Sequence, residues 1–225
     1  GRVRGVIGLA AIGVQVANAA AALGMRVLGY DPQITVGHAW KLSANVEQAT
    51  SIEEVLRRSD AVSLHVPLVA GTRGLIDAGR LALMKPKALL LNFSRAAIVD
   101  EEAVVDALDR HKLRGYICDF PSPLLNGHPA VVATPHLGAS TGEAEDNCAV
   151  MAAAQLHAYL ANGDITNSVN FPDAVLARSE ATSRLAIANA NVPNMVGRIS
   201  TLLADAGLNI ADLLNKSRGE LAYTV

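Results

Sequence analysis

The sequence predicts an α/β fold with a doubly wound parallel sheet, followed by a smaller α+β module. Short apolar segments alternate with helical patterns through residues 1–161, as in chains built from βαβ units. Apolar residues make up 51% of the 225-residue chain, whereas aromatic residues make up only 4%. A core of Ala, Val, Leu and Ile suits parallel strands that helices cover on both faces.

The elements of the first domain follow in order along the chain. Gly24 is expected to end the first helix, and Ser51-Ile52-Glu53-Glu54 has the spacing of a capping box at the start of another. Ser140–Glu143 is expected to begin the last helix. Strands are predicted at residues 3–8, 26–30, 61–65, 88–92, 115–119 and 131–133, and helices at 14–23, from 51, at 101–110 and at about 140–160.

A second module follows an irregular stretch. Residues 162–183 contain Gly163, Pro172 and many polar side chains, which predicts an interdomain linker. Residues 184–225 then read as strand 185–192, helix 195–206, and strands 210–217 and 221–225. A further helix and strand would complete a ferredoxin-like βαββαβ unit. We therefore expect a first domain at 1–161, a linker at 162–183 and an incomplete second domain at 184–225.

Charge and cysteine content exclude several classes of protein. The net charge is −2 without a basic cluster, so neither a nucleic-acid nor a membrane partner is expected. No apolar run reaches about 18 residues, and we expect no signal peptide. Cys118 and Cys148 lack metal-ligand spacing, so we expect no metal site and a reducing, cytoplasmic location.

A glycine motif separates the first strand from the first helix. It reads G-x-A-x-x-G, in which Gly8 permits a tight turn and Gly13 permits close packing of helix on strand. The helix N-terminus would then offer free N–H groups to a pyrophosphate, although the methyl group of Ala10 stands where the backbone should approach it. The candidate phosphate-binding residues are Gly8, Ala10, Ala11, Ile12 and Gly13.

Asp31 makes this motif more specific. It ends the second strand, where an acidic side chain can accept a hydrogen bond from a ribose 2′-hydroxyl. Because the same carboxylate would repel a 2′-phosphate, NAD is favoured over NADP. The alternative is a structural turn followed by an unrelated aspartate.

Two polar segments follow later strands. Asn92-Phe93-Ser94-Arg95 comes after the fourth strand of the first domain, and Pro135-His136 comes after its last. Ligands of doubly wound sheets lie beyond the carboxyl ends of strands. Arg95 is suited to hold a carboxylate, and His136 to exchange a proton with a hydroxyl. The alternatives are a surface arginine and a structural histidine.

These segments resemble the D-2-hydroxyacid dehydrogenase family throughout residues 1–161. Two segments are similar to the phosphoglycerate dehydrogenase branch of the family, Asp119-Phe120-Pro121 and Gly127-His128-Pro129. Asn189–Pro193 and Gly207–Ile210 resemble an ACT domain, a serine-sensing module. The family resemblance itself rests on Gly8–Gly13, Tyr30-Asp31-Pro32, His65-Val66-Pro67-Leu68, Gly74-Leu75-Ile76, Leu83-Met84-Lys85-Pro86, Asn92–Arg95, Val99-Asp100-Glu101 and Pro135–Thr141.

The resemblance implies roles for these residues. His136 would be the general acid/base, Arg95 would bind the substrate carboxylate, and Asp119 would meet the nicotinamide carboxamide. It further implies NAD as cofactor, 3-phosphoglycerate as substrate, L-serine as effector and a homo-oligomer. Arg95 and His136 are expected to contact the cofactor as well. The remaining expected cofactor contacts are His65, Val66, Pro67, Phe93, Ser94 and Gly138, and the expected effector contacts are Asn189, Asn191 and Asn209.

The sequence also departs from the family pattern. The family pairs its histidine with a glutamate, but Leu124 stands where we expect that residue. Ala10, Ala96 and Asn194 replace expected glycines, and the resemblance leads us to expect an N-terminal substrate lobe and the end of an ACT domain outside residues 1–225. We interpret the chain as a fragment of an enzyme, because Asp31, Arg95 and His136 are retained. The alternatives are another D-2-hydroxyacid dehydrogenase, and a degenerate regulator that binds NAD or serine.

Overall fold

The computed structural model describes residues 1–178 and 183–225, and the chain forms two compact units, Gly1–Leu137 and Gly138–Val225. The sequence placed the end of the first domain at residue 161, whereas the long helix after residue 141 belongs to the second unit. Residues 179–182 of the expected linker lie outside the described residues. The division into functional domains stays a prediction.

The first unit is built on a parallel sheet of seven strands. The order is β3-β2-β1-β4-β5-β6-β7, and every pairing is parallel. The predicted α/β class is therefore confirmed, and the direction of winding reverses between β1 and β4. The strands are β1 Val3–Ile7, β2 Arg26–Tyr30, β3 Val46–Gln48, β4 Ala61–Leu64, β5 Ala88–Asn92, β6 Leu113–Cys118 and β7 Val131–Ala133.

The helices of this unit cover the two sheet faces unequally. On one face, α1 packs on β1 and β2 through Val14 and Ala17, whereas the other face carries the larger core. On the face that carries α1, Leu89, Leu91 and Ile117 are half-buried. The helices are α1 Ala11–Ala22, α2 Val36–Ala39, α3 Ile52–Arg58, α4 Ala78–Leu83 and α5 Glu101–Asp109, with a 3-10 turn at Ala96–Ile98.

Local capping explains where these helices begin and end. The Ser51 hydroxyl accepts a hydrogen bond from the Glu54 N–H at 3.1 Å, as the capping box predicts. The Glu54 carboxylate, however, accepts from the N–H and hydroxyl of Thr50, one residue earlier than expected. Gly24 ends α1 with a φ of +78°. The sequence analysis missed α2, β3 and α4, although Thr35 and Asp77 cap the two helices.

The second unit has the order β-α-β-β after a long helix. Its antiparallel sheet has the order β8-β10-β9. The strand predicted at 210–217 begins only at Asn215, because residues 208–213 line an apolar cavity of about 510 Å³. The assignment as an ACT domain stays a prediction. The elements are α6 Gly142–Asn162, β8 Ile187–Ala190, α7 Met195–Asp205, β9 Asn215–Arg218 and β10 Leu221–Thr224.

Among residues 1–178 and 183–225, no helix combines the length and apolarity needed to cross a bilayer.

Candidate active site

Six of the seven parallel strands end in a segment that the sequence singled out. Because these strands are parallel, their carboxyl ends lie along one edge of the sheet. With neighbouring strands about 4.8 Å apart, the row from β2 to β7 spans roughly 24 Å. The segments that follow these strands therefore share one edge of the sheet. In strand order the row is Asp31 after β2, Gly8 after β1, His65 after β4, Arg95 after β5, Asp119 after β6 and His136 after β7.

Two glycines bring β1, α1 and β4 together by their backbones. Gly8 has a φ of +91°, and a Cβ there would lie 2.5 Å from the carbonyl oxygen of His65. A Cβ on Gly13 would overlap the carbonyl oxygen of Gly8. Both positions therefore exclude any side chain. The tight turn and the close helix packing have the steric causes that the sequence analysis proposed.

The N-terminus of α1 opens beside this turn. Ala10 is the N-cap residue with a φ of −80°, so its methyl group causes no backbone strain. Ala10, Ala11 and Ile12 are exposed. Within the described part of the chain, the N–H groups of Ala11 and Ile12 have no hydrogen-bond acceptor. Free N–H groups and the helix dipole suit a pyrophosphate at this place.

Asp31 is tied to the glycine turn. One carboxylate oxygen accepts a hydrogen bond from the Leu9 N–H at 2.8 Å, and the other accepts from the Gln33 N–H at 2.8 Å. Each oxygen keeps a further lone pair for a ribose hydroxyl. A fixed, half-buried carboxylate at the end of β2 fits the ribose of NAD and opposes a 2′-phosphate.

The segment after β4 lies against the same turn. His65 Nε2 is 3.1 Å from the Ser63 hydroxyl. Burial, with the nearby positive charge of Arg4, lowers the pKa of His65 to about 4, so the imidazole is neutral at neutral pH. Val66 is half-buried and faces Gly8, whereas Pro67 is exposed. These residues form a wall beside the turn that is mostly apolar.

Hydrogen bonds from two buried side chains hold the loop after β5. The buried Asn92 side chain donates to the Arg95 carbonyl at 2.9 Å and accepts from the Ser94 N–H at 3.1 Å. The buried Ser94 hydroxyl donates to the Leu64 carbonyl at 2.6 Å. Phe93 and Arg95 remain exposed. The sequence analysis gave no role to Asn92, although a polar residue ending an apolar strand was a usable signal.

Ser94 and Arg95 differ in the hydrogen-bond donors that they leave free for a ligand. The Ser94 hydroxyl proton is used within the protein, so the side chain holds the loop, and the expected cofactor contact stays a prediction. The Arg95 guanidinium donates from Nη1 to the Ser94 carbonyl at 2.7 Å. Its other N–H groups are at the surface, where they could hold a carboxylate.

Asp119 and His136 meet at the ends of β6 and β7. The distance from His136 Nδ1 to Asp119 Oδ2 is 3.9 Å, and the Thr134 hydroxyl donates to the other oxygen of Asp119. The Phe120 ring lies against the imidazole, with ring centroids 5.1 Å apart. Leu124 stands where the family pattern leads one to expect a glutamate, and the carboxylate that faces the imidazole here belongs to Asp119.

The other predicted site residues belong to the second unit. Gly138 has no neighbour that a Cβ would meet within 4 Å. The Asn189 amide donates to the Ala190 carbonyl at 2.7 Å, and that of Asn191 donates to the Gly219 carbonyl at 3.0 Å. Asn209 lines the apolar cavity beside α7. Their roles toward cofactor or effector stay predictions.

Comparison with known proteins identifies relatives along the whole chain. D-3-phosphoglycerate dehydrogenase of Haemophilus influenzae is 35% identical over 239 aligned residues, which cover 100% of this chain and 56% of the relative. The Escherichia coli K12 enzyme of the same name is 34% identical, with the same coverage of 100% and 56%. The chain thus spans about half the length of these curated relatives.

Solved structures show the same relationship. Apo D-mandelate dehydrogenase of Rhodotorula graminis matches with a TM-score of 0.64 and 30% identity, covering 71% of this chain and 48% of that one. D-Lactate dehydrogenase with NAD+ from Lactobacillus jensenii matches with a TM-score of 0.64 and 28% identity, covering 79% and 56%. The model of the D-isomer specific 2-hydroxyacid dehydrogenase NAD-binding domain matches residues 1–138. The chain therefore belongs to the D-isomer specific 2-hydroxyacid dehydrogenase family, and residues 1–138 are its NAD-binding domain.

Proposed function

We propose that this chain is the NAD-binding part, with a regulatory module, of a D-3-phosphoglycerate dehydrogenase. The protein would oxidise 3-phospho-D-glycerate to 3-phosphohydroxypyruvate in serine synthesis. The proposal rests on the order of the polar residues along the carboxyl edge of the sheet. Asp31, a carboxylate suited to bind a ribose, lies toward one end of this edge, and Arg95, Asp119 and His136 lie toward the other. We call the part near Asp31 the cofactor end and the part with Arg95 and His136 the reaction end.

The cofactor end fits the shape and charge of NAD. The Asp31 carboxylate would accept from the ribose hydroxyls, and the exposed N-terminus of α1 would face the pyrophosphate. His65, Val66 and Pro67 would form the wall beside adenine and ribose. When bound, NAD supplies the acceptor for the hydride that leaves the substrate carbon.

The reaction end has the two groups that oxidation of a 2-hydroxyacid needs. Arg95 would hold the substrate carboxylate with its free N–H groups. His136 Nε2 would accept the hydroxyl proton while the C–H bond breaks and the carbonyl forms. The imidazole is partly exposed, so a substrate can reach this nitrogen.

Coverage of the relatives favours phosphoglycerate as the substrate. The relatives named D-3-phosphoglycerate dehydrogenase align with 100% of this chain, so the match includes the second unit. The mandelate and lactate dehydrogenase structures cover only 71% and 79% of it. We therefore prefer phosphoglycerate to mandelate or lactate. L-Serine as effector, through Asn189, Asn191 and Asn209, and a homo-oligomer belong to the same proposal.

Cysteine usage supports a reducing, cytoplasmic location. Cys118 is buried and Cys148 is exposed, and both are free thiols. An exposed cysteine without a disulfide partner suits such a compartment.

The proposal is tested by turnover in the complete polypeptide that carries this sequence. Formation of NADH should be followed with 3-phosphoglycerate, D-lactate and D-mandelate at equal concentrations. We expect the highest kcat/KM for 3-phosphoglycerate, with loss of activity in Arg95→Ala and His136→Ala. A faster D-lactate or D-mandelate reaction would identify another D-2-hydroxyacid dehydrogenase. NADH binding without turnover of any substrate would indicate the degenerate regulator.

A further inference from the structure

We infer that Asp119 is the positioning residue for His136, and that it takes the place of the glutamate that the family pattern leads one to expect. The inference rests on the proposed function, in which His136 is the acid/base residue. The side chain at position 124 is an apolar leucine that is 47% exposed, so it offers no acceptor to the imidazole. Asp119 Oδ2 lies 3.9 Å from His136 Nδ1.

The Asp119 carboxylate is itself held in place. The Thr134 hydroxyl donates to Oδ1, while the Asp119 N–H donates to the Asn92 carbonyl at 3.3 Å. The Thr134 N–H donates to the Cys118 carbonyl at 2.8 Å, which joins the ends of β6 and β7. The Asp119 side chain is only 17% exposed. One carboxylate oxygen is thus used by the protein, and the other is left toward His136.

The imidazole is constrained from two further sides. His136 has a φ of +58°, a left-handed conformation that is uncommon for a residue with a side chain and that fixes the direction of its Cβ. Phe120 follows Asp119 in sequence, and its ring is tilted by 39° against the imidazole. Phe120 therefore packs against the imidazole ring, and the neighbouring Asp119 carboxylate lies opposite its Nδ1.

This arrangement selects one tautomer of the neutral imidazole. A carboxylate opposite Nδ1 favours the form that carries its proton on Nδ1, which leaves the lone pair on Nε2. Nε2 is the nitrogen that must accept the substrate proton. The 3.9 Å separation is longer than a hydrogen bond, and contacts in catalytic sites often shorten when ligands bind.

The chain contains a second aspartate–histidine pair with the opposite geometry. Asp109 Oδ1 lies 3.3 Å from His128 Nε2, and the Ala130 N–H donates to His128 Nδ1 at 3.1 Å. His128 is therefore held with its proton on Nε2. It provides an internal reference in the same unit, and Asp109→Asn is the matched control for Asp119→Asn.

The test is the tautomer of each histidine, read from ¹⁵N–¹H NMR correlations of the ¹⁵N-histidine-labelled 225-residue chain. At about pH 8, where imidazole is ordinarily neutral, we expect Nδ1–H for His136 and Nε2–H for His128. In Asp119→Asn, Thr134 keeps the amide oxygen and the NH₂ group faces His136, so His136 should shift to Nε2–H. Asp109→Asn should leave His136 unchanged.

Two results would overturn the inference. One is Nε2–H for His136 in the unmodified chain, and the other is an unchanged tautomer in Asp119→Asn while the His128 signals show an intact fold. If Asp119→Asn disturbs the His128 signals, Thr134→Val replaces it. That variant keeps the carboxylate and removes its anchor, so a mixture of both tautomers at His136 is expected, and an unchanged Nδ1–H form counts against the inference.

Kinetics separate the inference from the proposed function. In the complete polypeptide, Asp119→Asn should lower kcat by about 10²–10⁴ with little change in KM, by analogy with other acid/base pairs. NADH binding by the chain is measured alongside, because the family resemblance also gives Asp119 a contact with the nicotinamide carboxamide. If the tautomer shifts but no 2-hydroxyacid is oxidised, the proposed function fails and the positioning contact stands. If oxidation occurs with unchanged kcat in the variant, the contact is the part that fails.

Discussion

Replacing Gly13 by alanine tests the contact between α1 and the glycine turn. Alanine within a helix is ordinarily more favourable than glycine by about 0.8–1.0 kcal/mol. At this position the new methyl group would overlap the Gly8 carbonyl oxygen, well inside the 3.0 Å below which real Cβ contacts essentially never occur. Because the obstacle is backbone, no rotamer change can relieve it. Overpacking of this kind costs typically 1–3 kcal/mol, and occasionally more.

The steric cost should therefore exceed the gain in helix propensity. An overlap with backbone lies at the upper end of that cost, so we expect Gly13→Ala to lower the free energy of unfolding by about 2 kcal/mol, and to weaken NADH binding because the N-terminus of α1 moves. Urea denaturation followed by circular dichroism gives the first quantity. Quenching of Trp40, the one tryptophan in the sequence, or enhancement of NADH emission, gives the second.

Gly37→Ala is the matched control for this variant. Gly37 lies in α2 of the same unit, and a Cβ there would meet nothing within 4 Å. The same chemical change should leave stability equal or raise it by up to about 1 kcal/mol. If Gly13→Ala behaves like Gly37→Ala in both assays, the close contact does not exist and the steric reasoning is wrong.

Three further predictions concern charge. The Kd for NADH should be lower than the Kd for NADPH, and Asp31→Ala should bring the two values closer together. Equal Kd values in the unmodified chain would refute the argument. Hydrogen bonds from Thr50, then from Arg58, lower the pKa of Glu54 to about 2, so its stabilisation is complete above about pH 4.5 and is lost toward pH 2. Between about pH 5 and pH 3, the free energy of unfolding in urea should fall less in Glu54→Gln than in the unmodified chain. An equal fall in both would contradict this assignment. An NMR titration of His65 should give a midpoint near 4, since burial opposes its charge; stability from the neutral ring is complete above about pH 6.5 and is lost as the pH falls toward 4. A midpoint near 6.5 would show that the ring is solvated.

Long apolar runs between turn residues were the most predictable part of the fold. The strands at 26–30, 88–92 and 131–133 have the bounds that the sequence predicted. Helices α2 and α4 were missed because 4 and 6 residues are too few to show a helical period, and β3 was missed because only one of its three residues is apolar. The strand after α7 was placed too early, since Leu208 and Ile210 face a cavity and not a paired strand.

The candidate site was predictable in its order but not in its contacts. The parallel topology dictates that segments after successive strands share one edge, so Asp31, Arg95 and His136 could be placed from sequence. The approach of Asp119 to His136 depends on two loops and on a φ of +58°, which no local pattern encodes. The family pattern places its glutamate at position 124, five residues after Asp119, so the motif does not indicate that Asp119 lies near His136.

The bond between Asp31 and Leu9 has a consequence for attempts to change the cofactor. The carboxylate that would discriminate against a 2′-phosphate also accepts the Leu9 N–H of the glycine turn at 2.8 Å. A basic or apolar replacement would relieve the repulsion of NADP and, at the same time, leave that N–H without its acceptor. The same side chain thus determines the preference for NAD over NADP and stabilises the conformation of the phosphate-binding turn. Redesign for NADP would need a neutral acceptor at position 31, such as serine or asparagine, with the new positive charge supplied from another residue.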